Sequence, residues 1–297
     1  MMHSRMIGDV KVTNVIEYFG PTHDPAVVFP SLSPERLSQQ VEALGPSQYV
    51  PLVNRFVIAI QIWIVQAGKN VVVIDTGVGN HKKRPAARMN MLNTLVPEWI
   101  AAAGVSFDAV THVVNTHLHS DHVGWNTRLI DGEWKPTFPN ARYYMPKTDF
   151  DFFDAQYQGG NRQASAGSFE DSVLPILAAG MLDLVGDEGR IADLLDIAPV
   201  PGHTPGQISL SMRSKGEEGI FCADIFHSPI QILLPDINTA FCMIPELAIE
   251  TRARFLETAA DRQALIMPCH FGVPHCGYIR RAGEGRFAFQ PEARSVR

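Results

Sequence analysis

The chain has 297 residues, with 25 lysines and arginines against 31 aspartates and glutamates, a formal charge of -6, and 45% hydrophobic and 19% charged residues. That is globular composition and excludes a fully disordered chain. The mild acidic balance argues against a nucleic-acid binder, and the most apolar stretch, Phe56 to Val65, is interrupted by Gln61 and too short to cross a membrane. Met1 to Val10 lacks the basic-then-apolar pattern of a secretory leader, so a cytoplasmic location is expected. Cys222, Cys242, Cys269 and Cys276 form no CxxC pair, which leaves neither a disulfide scaffold nor a thiolate zinc site.

In chain order, Met6 to Tyr18 predicts an opening strand, and the proline-rich Gly20 to Pro34 predicts a loop. Ser33-Pro34-Glu35 starts a helix expected to run to Leu44, before Gly45-Pro46. This excursion, about 20–55, is a candidate cover for an active site or a partner contact, with surface decoration as the alternative. Ile58, Ile60, Ile62 and Ile64 alternate along Phe56 to Val65, predicting a strand with one buried face. Val71 to Ile74 is a second strand, ended by Asp75-Thr76-Gly77. Helix is expected over Arg88 to Ala103, restarting at Pro97 and stopping at Gly104. Ala109 to Asn115 is a strand.

Further on, Arg142 to Met145 predicts a strand, Thr148 to Ala155 a helix, Gly159 to Gly167 a loop and Ser168 to Ala179 a helix. Leu194 to Pro199, Gln207 to Met212, Gly219 to Cys222 and Ala264 to Met267 read as strands, and Pro245 to Asp261 as a long amphipathic helix. Strands and helices alternate throughout, so the fold class is α/β, and no linker separates two domains.

The densest chemistry is Thr116-His117-Leu118-His119-Ser120-Asp121-His122, directly after a predicted strand. In extended chain His117 and His119 share a face, and a turn beyond them lets Asp121 and His122 address a second position. Imidazole and carboxylate donors suit zinc-like cations. One tetrahedral site cannot use so many donors once distant ligands join; two adjacent metals can. A chance histidine-rich loop is the bland reading, and four donors at this spacing at a strand's carboxyl end weigh against it.

The pattern HxHxDH at His117, His119, Asp121 and His122 resembles the signature of the metallo-β-lactamase-fold hydrolases. The resemblance extends over most of the chain: Asp75-Thr76-Gly77 matches a DTG turn, Pro201 to Gly206 a PGHTPG loop, Asp224 the metal-bridging aspartate and His270 the terminal histidine. It implies one domain, 1–297, folded as a four-layer αββα sandwich. It implies one metal on His117, His119 and His203, a second on Asp121, His122 and His270, and Asp224 between them. The redox-active diiron branch usually has Glu where this chain has His119, which favours hydrolysis. Zinc is the default metal, with manganese, iron or cobalt as alternatives.

A hydroxide bridging two cations is a nucleophile at neutral pH. The expectation is therefore a dinuclear hydrolase of small, apolar lactones, esters or phosphotriesters, with Asp121 orienting the nucleophile. The alternatives are a β-lactamase or thioesterase of the same fold, or a non-catalytic metal-binding or ligand-sensing protein. His227 stands where acyl-homoserine lactonases usually carry Tyr, a resemblance to the methyl-parathion-hydrolase-like branch, in which a homodimer is implied. His227 donates to substrate or packs against the metal ligands. Trp125, Phe226 and His227 are the candidate substrate wall, with core packing the alternative for Trp125. Phe29, Tyr49 and Phe56 read first as ordinary packing. His3, His23, His81, His112 and His275 lack ligand-like context. The expected partner is a small-molecule substrate, with neither nucleic acid nor membrane.

Overall fold

The computed structural model describes residues 1–292. They form two compact units, Met1–Tyr18 with Ile60–Ile197, and Phe19–Ala59 with the chain from Ala198 onward. The borders fall inside the strands Val10–His23, Arg55–Ala67 and Leu195–Pro199, so no loop marks them. Among the described residues no helix is long and apolar enough to cross a membrane.

In the first unit, strands Met2–Ile7, Val10–His23, Arg55–Ala67, Asn70–Ile74, His112–Val114, Arg142–Pro146 and Leu182–Val185 lie side by side in that order. The first pair and the Arg55–Ala67/Asn70–Ile74 pair are antiparallel, and the last three neighbours are parallel. Ile62, Ile64, Val73, Val113 and Tyr143 build the core with Ile100 of the helix Val96–Ala102. A second cluster joins Leu118, Val123 and Met145 to Phe153 of the helix Lys147–Gln158 and to Phe169. The parallel strands end together, which delivers the DTG turn and the histidine loop to the same sheet edge.

In the second unit, strands Ile208–Ser214, Glu217–Phe221, Leu265–Met267, Gly277–Arg281 and Phe287–Pro291 follow one another across the sheet. The helix Pro245–Arg262 buries Phe255 and Leu256 among Ile220, Phe226, Ile266 and Phe271. Residues 20–55 hold three short helices, Pro25–Val28, Pro34–Ser38 and Val41–Leu44. Their Val28, Phe29, Leu37 and Leu44 pack with Tyr49, Phe56 and Ile230 in a separate apolar cluster.

Several elements differ from expectation for visible reasons. The opening strand is a hairpin, Met2–Ile7 and Val10–His23, turned at Gly8, whose φ is +54°. The second strand consumes the start of the expected loop, and Asp24 then caps a helix by accepting from the Ala26 amide at 3.0 Å. The Pro34 to Leu44 helix breaks at Gln39-Gln40, where the Gln40 amide turns to the Leu37 carbonyl at 2.9 Å. The Arg88 to Ala103 helix shortens to Val96–Ala102, because Met91 donates to the Lys82 carbonyl and Thr94 to the Asn80 side chain, both at 2.7 Å. Ser168 to Ala179 begins as a π-helical turn, Phe169–Val173, ahead of Pro175, which has no amide to donate. Phe56 to Val65 is buried on both faces, not one: Gln61 lies inside and accepts from Asn14 Nδ2 at 2.7 Å. Hairpin Thr127–Ile130/Glu133–Pro136 and the strands Gly277–Arg281 and Phe287–Pro291 were not foreseen.

Candidate metal centre

In the first unit His117, His119, Asp121 and His122 sit on one tight loop after the strand His112–Val114. The His117 ring lies 4.8 Å from that of His119 and 3.9 Å from that of His122, centroid to centroid. Asp121 Oδ1 is 3.9 Å from His122 Nε2. The His122 amide donates to the His119 carbonyl at 3.0 Å, closing the turn that brings the donors together.

The DTG turn holds this loop. Asp75 Oδ1 accepts from the Thr116 amide and Oδ2 from the Thr116 hydroxyl, each at 2.8 Å, while Oδ2 also lies 3.0 Å from His122 Nδ1. That contact directs His122 Nε2 away from Asp75, the carboxylate–imidazole arrangement that orients metal ligands. The His122 carbonyl accepts from the Thr76 amide at 2.7 Å and from Asn115 Nδ2 at 2.8 Å. Gly124 donates to the Gly77 carbonyl at 2.7 Å, an approach so close that a Cβ on Gly124 would lie 1.9 Å from the Val78 carbonyl oxygen. Buried Glu17 closes the turn from outside, accepting from Val78 at 2.6 Å, Gly79 at 3.1 Å and Trp125 Nε1 at 2.7 Å. Burial pushes its carboxyl above the usual carboxylate range, against the opposing pull of these donors.

In the second unit three imidazole nitrogens converge on one oxygen. Asp224 Oδ2 lies 3.2 Å from His203 Nε2, 3.2 Å from His227 Nε2 and 2.9 Å from His270 Nε2. All four residues are buried. His270 Nδ1 donates to the Ala59 carbonyl at 2.8 Å, which leaves Nε2 with its lone pair towards Asp224. His203 rides the PGHTPG loop, where Gly202 has φ +129° and a Cβ would lie 2.4 Å from the Ala248 nitrogen. That loop is pinned to the start of the long helix by Met243 and Ile244 amides donating to the His203 and Gly202 carbonyls, both at 2.9 Å. Asp224 and His227 are fixed by glutamines: Gln207 Oε1 accepts from the Asp224 amide at 3.3 Å and Gln231 Oε1 from the His227 amide at 2.7 Å.

The expected ligands thus gather as two sets, one in each unit, and His227 belongs with the second. Its ring stacks on His270 at 4.9 Å and 17°. His203, Asp224 and His227 have ligand atoms within 4.8 Å of one another. Imidazoles and carboxylates, held by carbonyl and carboxylate acceptors behind them, fit zinc-like cations.

Two expected wall residues are placed elsewhere. Trp125 is 4% exposed and packs in the core with Ile62 and Phe138, its indole tied to Glu17; Phe226 is 0% exposed among Phe255 and Phe271. Side chains near ligands in sequence alternate between site and core, and these two fall on the core side. Phe29, Tyr49 and Phe56 pack on one another, with ring separations of 5.0 and 5.2 Å. An unforeseen aromatic lies beside His227: Phe241 is 38% exposed, with its ring 5.8 Å from that of His227. Asp149, buried on the helix Lys147–Gln158, was also missed; its Oδ2 accepts from the Leu118 amide at 3.2 Å, inside the histidine loop. His275 is a core histidine, its Nδ1 2.7 Å from the Phe271 carbonyl.

The model of the metallo-beta-lactamase superfamily matches residues 56–270. A hydroxyacylglutathione hydrolase of Synechococcus sp. (strain JA-2-3B'a(2-13)) is 30% identical over 129 residues, 43% of this chain and 38% of that protein, so the match spans well under half of the relative. Among solved structures, the hydrolase AbOPH of the beta lactamase superfamily aligns with a TM-score of 0.82 at 22% identity, over 99% of this chain and 98% of that one. The dizinc quorum-quenching lactonase AidC, in complex with a homoserine product, aligns with a TM-score of 0.80 at 20% identity over the same shares.

Proposed function

The chain belongs to the metallo-beta-lactamase superfamily, and on that premise we propose that it is a dinuclear metal-dependent hydrolase of small, apolar lactones, esters or phosphotriesters. The reading rests chiefly on one observation, the convergence of three imidazole nitrogens on Asp224 Oδ2 at 2.9 to 3.2 Å. A buried carboxylate gathering several imidazoles is unusual without a cation to share. In this proposal His117, His119 and His203 would hold one cation and Asp121, His122 and His270 the other, with Asp224 among the ligands. Bound there, two cations would supply an activated water and polarisation of the scissile carbonyl or phosphoryl group.

The chain's own groups do the rest. Asp75 and the Ala59 carbonyl fix the tautomers of His122 and His270, so each presents Nε2. Asp121, whose side chain is 17% exposed, would orient the attacking water and take its proton on its carboxylate. His227, beside Asp224, donates from its ring to the substrate oxygen on which charge develops. Phe241, with Met243 and Ile244 exposed at 38% and 37%, offers apolar surface near His227, which supports apolar substrates. The hydroxyacylglutathione hydrolase match supports a second reading, thioester hydrolysis.

Metal analysis with an assay panel tests this. Two equivalents of metal, chelator-sensitive turnover of a lactone, aryl ester or phosphotriester, and loss of both metal and turnover in Asp224→Ala are expected. Turnover confined to thioesters would select the second reading. Bound metal without turnover of any panel member would leave a sensor.

A further inference from the structure

We propose that the groove between the helix Pro245–Arg262 and the strands Ile208–Ser214 and Glu217–Phe221 is a second ligand site, which takes a small carboxylate bearing a short alkyl chain. The groove lies wholly in the second unit and encloses about 170 Å³. It exists because of side-chain size. Along Ile208–Ser214 the residues Ile208, Leu210 and Met212 are buried, and the alternate positions facing the helix carry Ser209 and Ser211. Serines there leave a gap that a larger apolar residue would fill, while Ile220 and Phe255 keep its floor apolar.

The charged side chains that line it are all cationic. Arg254 and Arg262 both line the groove. Arg262 shares Glu218 with Arg213, so one carboxylate answers two guanidinium groups. Arg254 has a hydrogen bond from Nη2 to Thr251 Oγ1 at 3.2 Å and, among the described residues, no ion-pair partner. Among the lining side chains the charge is therefore positive, on a chain of net charge -6. A guanidinium fork with donors to spare matches a carboxylate in two-point geometry, and the neighbouring hydroxyl of Ser211 adds a donor. The apolar floor is what selects an alkyl carboxylate over inorganic phosphate. The volume falls below the roughly 300 Å³ at which drug-sized pockets begin, so the chain must be short.

Calorimetric titration of the protein as purified with butyrate, acetate and inorganic phosphate tests this independently of the metal centre. Butyrate is expected to bind saturably, about tenfold tighter than acetate because two methylenes are added, and tighter than phosphate. Arg254→Ala, at an exposed position, and Ser211→Leu, which fills the groove, should each weaken butyrate at least tenfold with the thermal midpoint unchanged. Butyrate binding that is absent overturns the proposal. So does binding unaffected by both substitutions, or binding abolished by a chelator while both variants keep it, which would place the anion at the metal centre.

Discussion

Asp75 Oδ2 lies 3.0 Å from Nδ1 of His122, with both side chains buried. The same carboxylate holds the amide and hydroxyl of Thr116, next to His117, so one residue orients both ends of the histidine loop. Asp75→Asn keeps the shape but replaces the acceptor facing His122 or the one facing Thr116 with a donor. Metal affinity should fall about 10- to 100-fold, read by competition with a chromogenic chelator. The thermal midpoint of the metal-free protein should move far less; an unchanged affinity would show that Asp75 does not orient His122.

Gly124 sets how near the DTG turn and the histidine loop come. Gly124→Ala places a methyl group 1.9 Å from the Val78 carbonyl oxygen and 2.5 Å from the Gly79 nitrogen, both backbone, so no rotamer change relieves it. Expected is a loss of about 3 kcal/mol or more in urea unfolding together with weakened metal binding. A variant of wild-type stability would mean that the two loops separate without cost.

The histidine loop was legible from sequence because its four donors are neighbours and need no fold to bring them together. His203, Asp224 and His270 became candidates only through resemblance, since nothing in their spacing links them. What escaped altogether was support across long separations: Asp149 behind Leu118, Glu17 behind Trp125, and Phe241 against His227. Trp125, for which core packing was the alternative, and Phe226 fall in the core for the complementary reason, that proximity in sequence says nothing of which face is core. The two units were invisible because the chain passes between them within strands at Tyr18–Phe19, Ala59–Ile60 and Ile197–Ala198.

Arg252 is buried, at 1% exposure, and faces only neutral acceptors. Its Nε donates to the Ile225 carbonyl at 3.0 Å, its Nη1 to the Pro235 and Ile237 carbonyls at 2.8 Å, and its Nη2 to Asn238 Oδ1 at 2.8 Å. Burial pulls its pKa down to about 10. Because Ile225 follows Asp224, the long helix is thereby tied to the carboxylate on which the imidazoles converge. Arg252→Met removes the donors of four acceptors, of which the Ile237 carbonyl keeps Gln231 Nε2 at 3.3 Å, and should cost about 3 kcal/mol, measured by urea midpoint. Arg252→Lys, with a single charged nitrogen, cannot span the same acceptors and should recover only part of the loss; full recovery would show that charge alone is what the site needs.

Lys82 offers a pH test remote from the ligands. Its ammonium is buried, donates to Thr127 Oγ1 at 2.6 Å and to the Asp171 carbonyl at 3.0 Å, and sits 3.6 Å from the centre of the Trp134 ring. Burial lowers its pKa to about 7; Asp171 opposes that shift and Arg84 adds to it. An unfolded lysine titrates near 10.4, so between about pH 7 and 10 the unfolded chain binds more protons than the folded one. Stability attributable to this group therefore rises with pH across that window, by up to about 1.4 kcal/mol per unit, and below pH 7 the burial penalty is present in full. Arg84 still pairs with Asp171 at 2.7 and 2.9 Å when the lysine is removed, which makes Lys82→Met a tolerable replacement. Urea unfolding of both proteins at pH 7 and pH 9.5 should show wild type gaining on the variant as pH rises. A constant difference would mean that Lys82 stays protonated throughout, held by Asp171 and the face of Trp134.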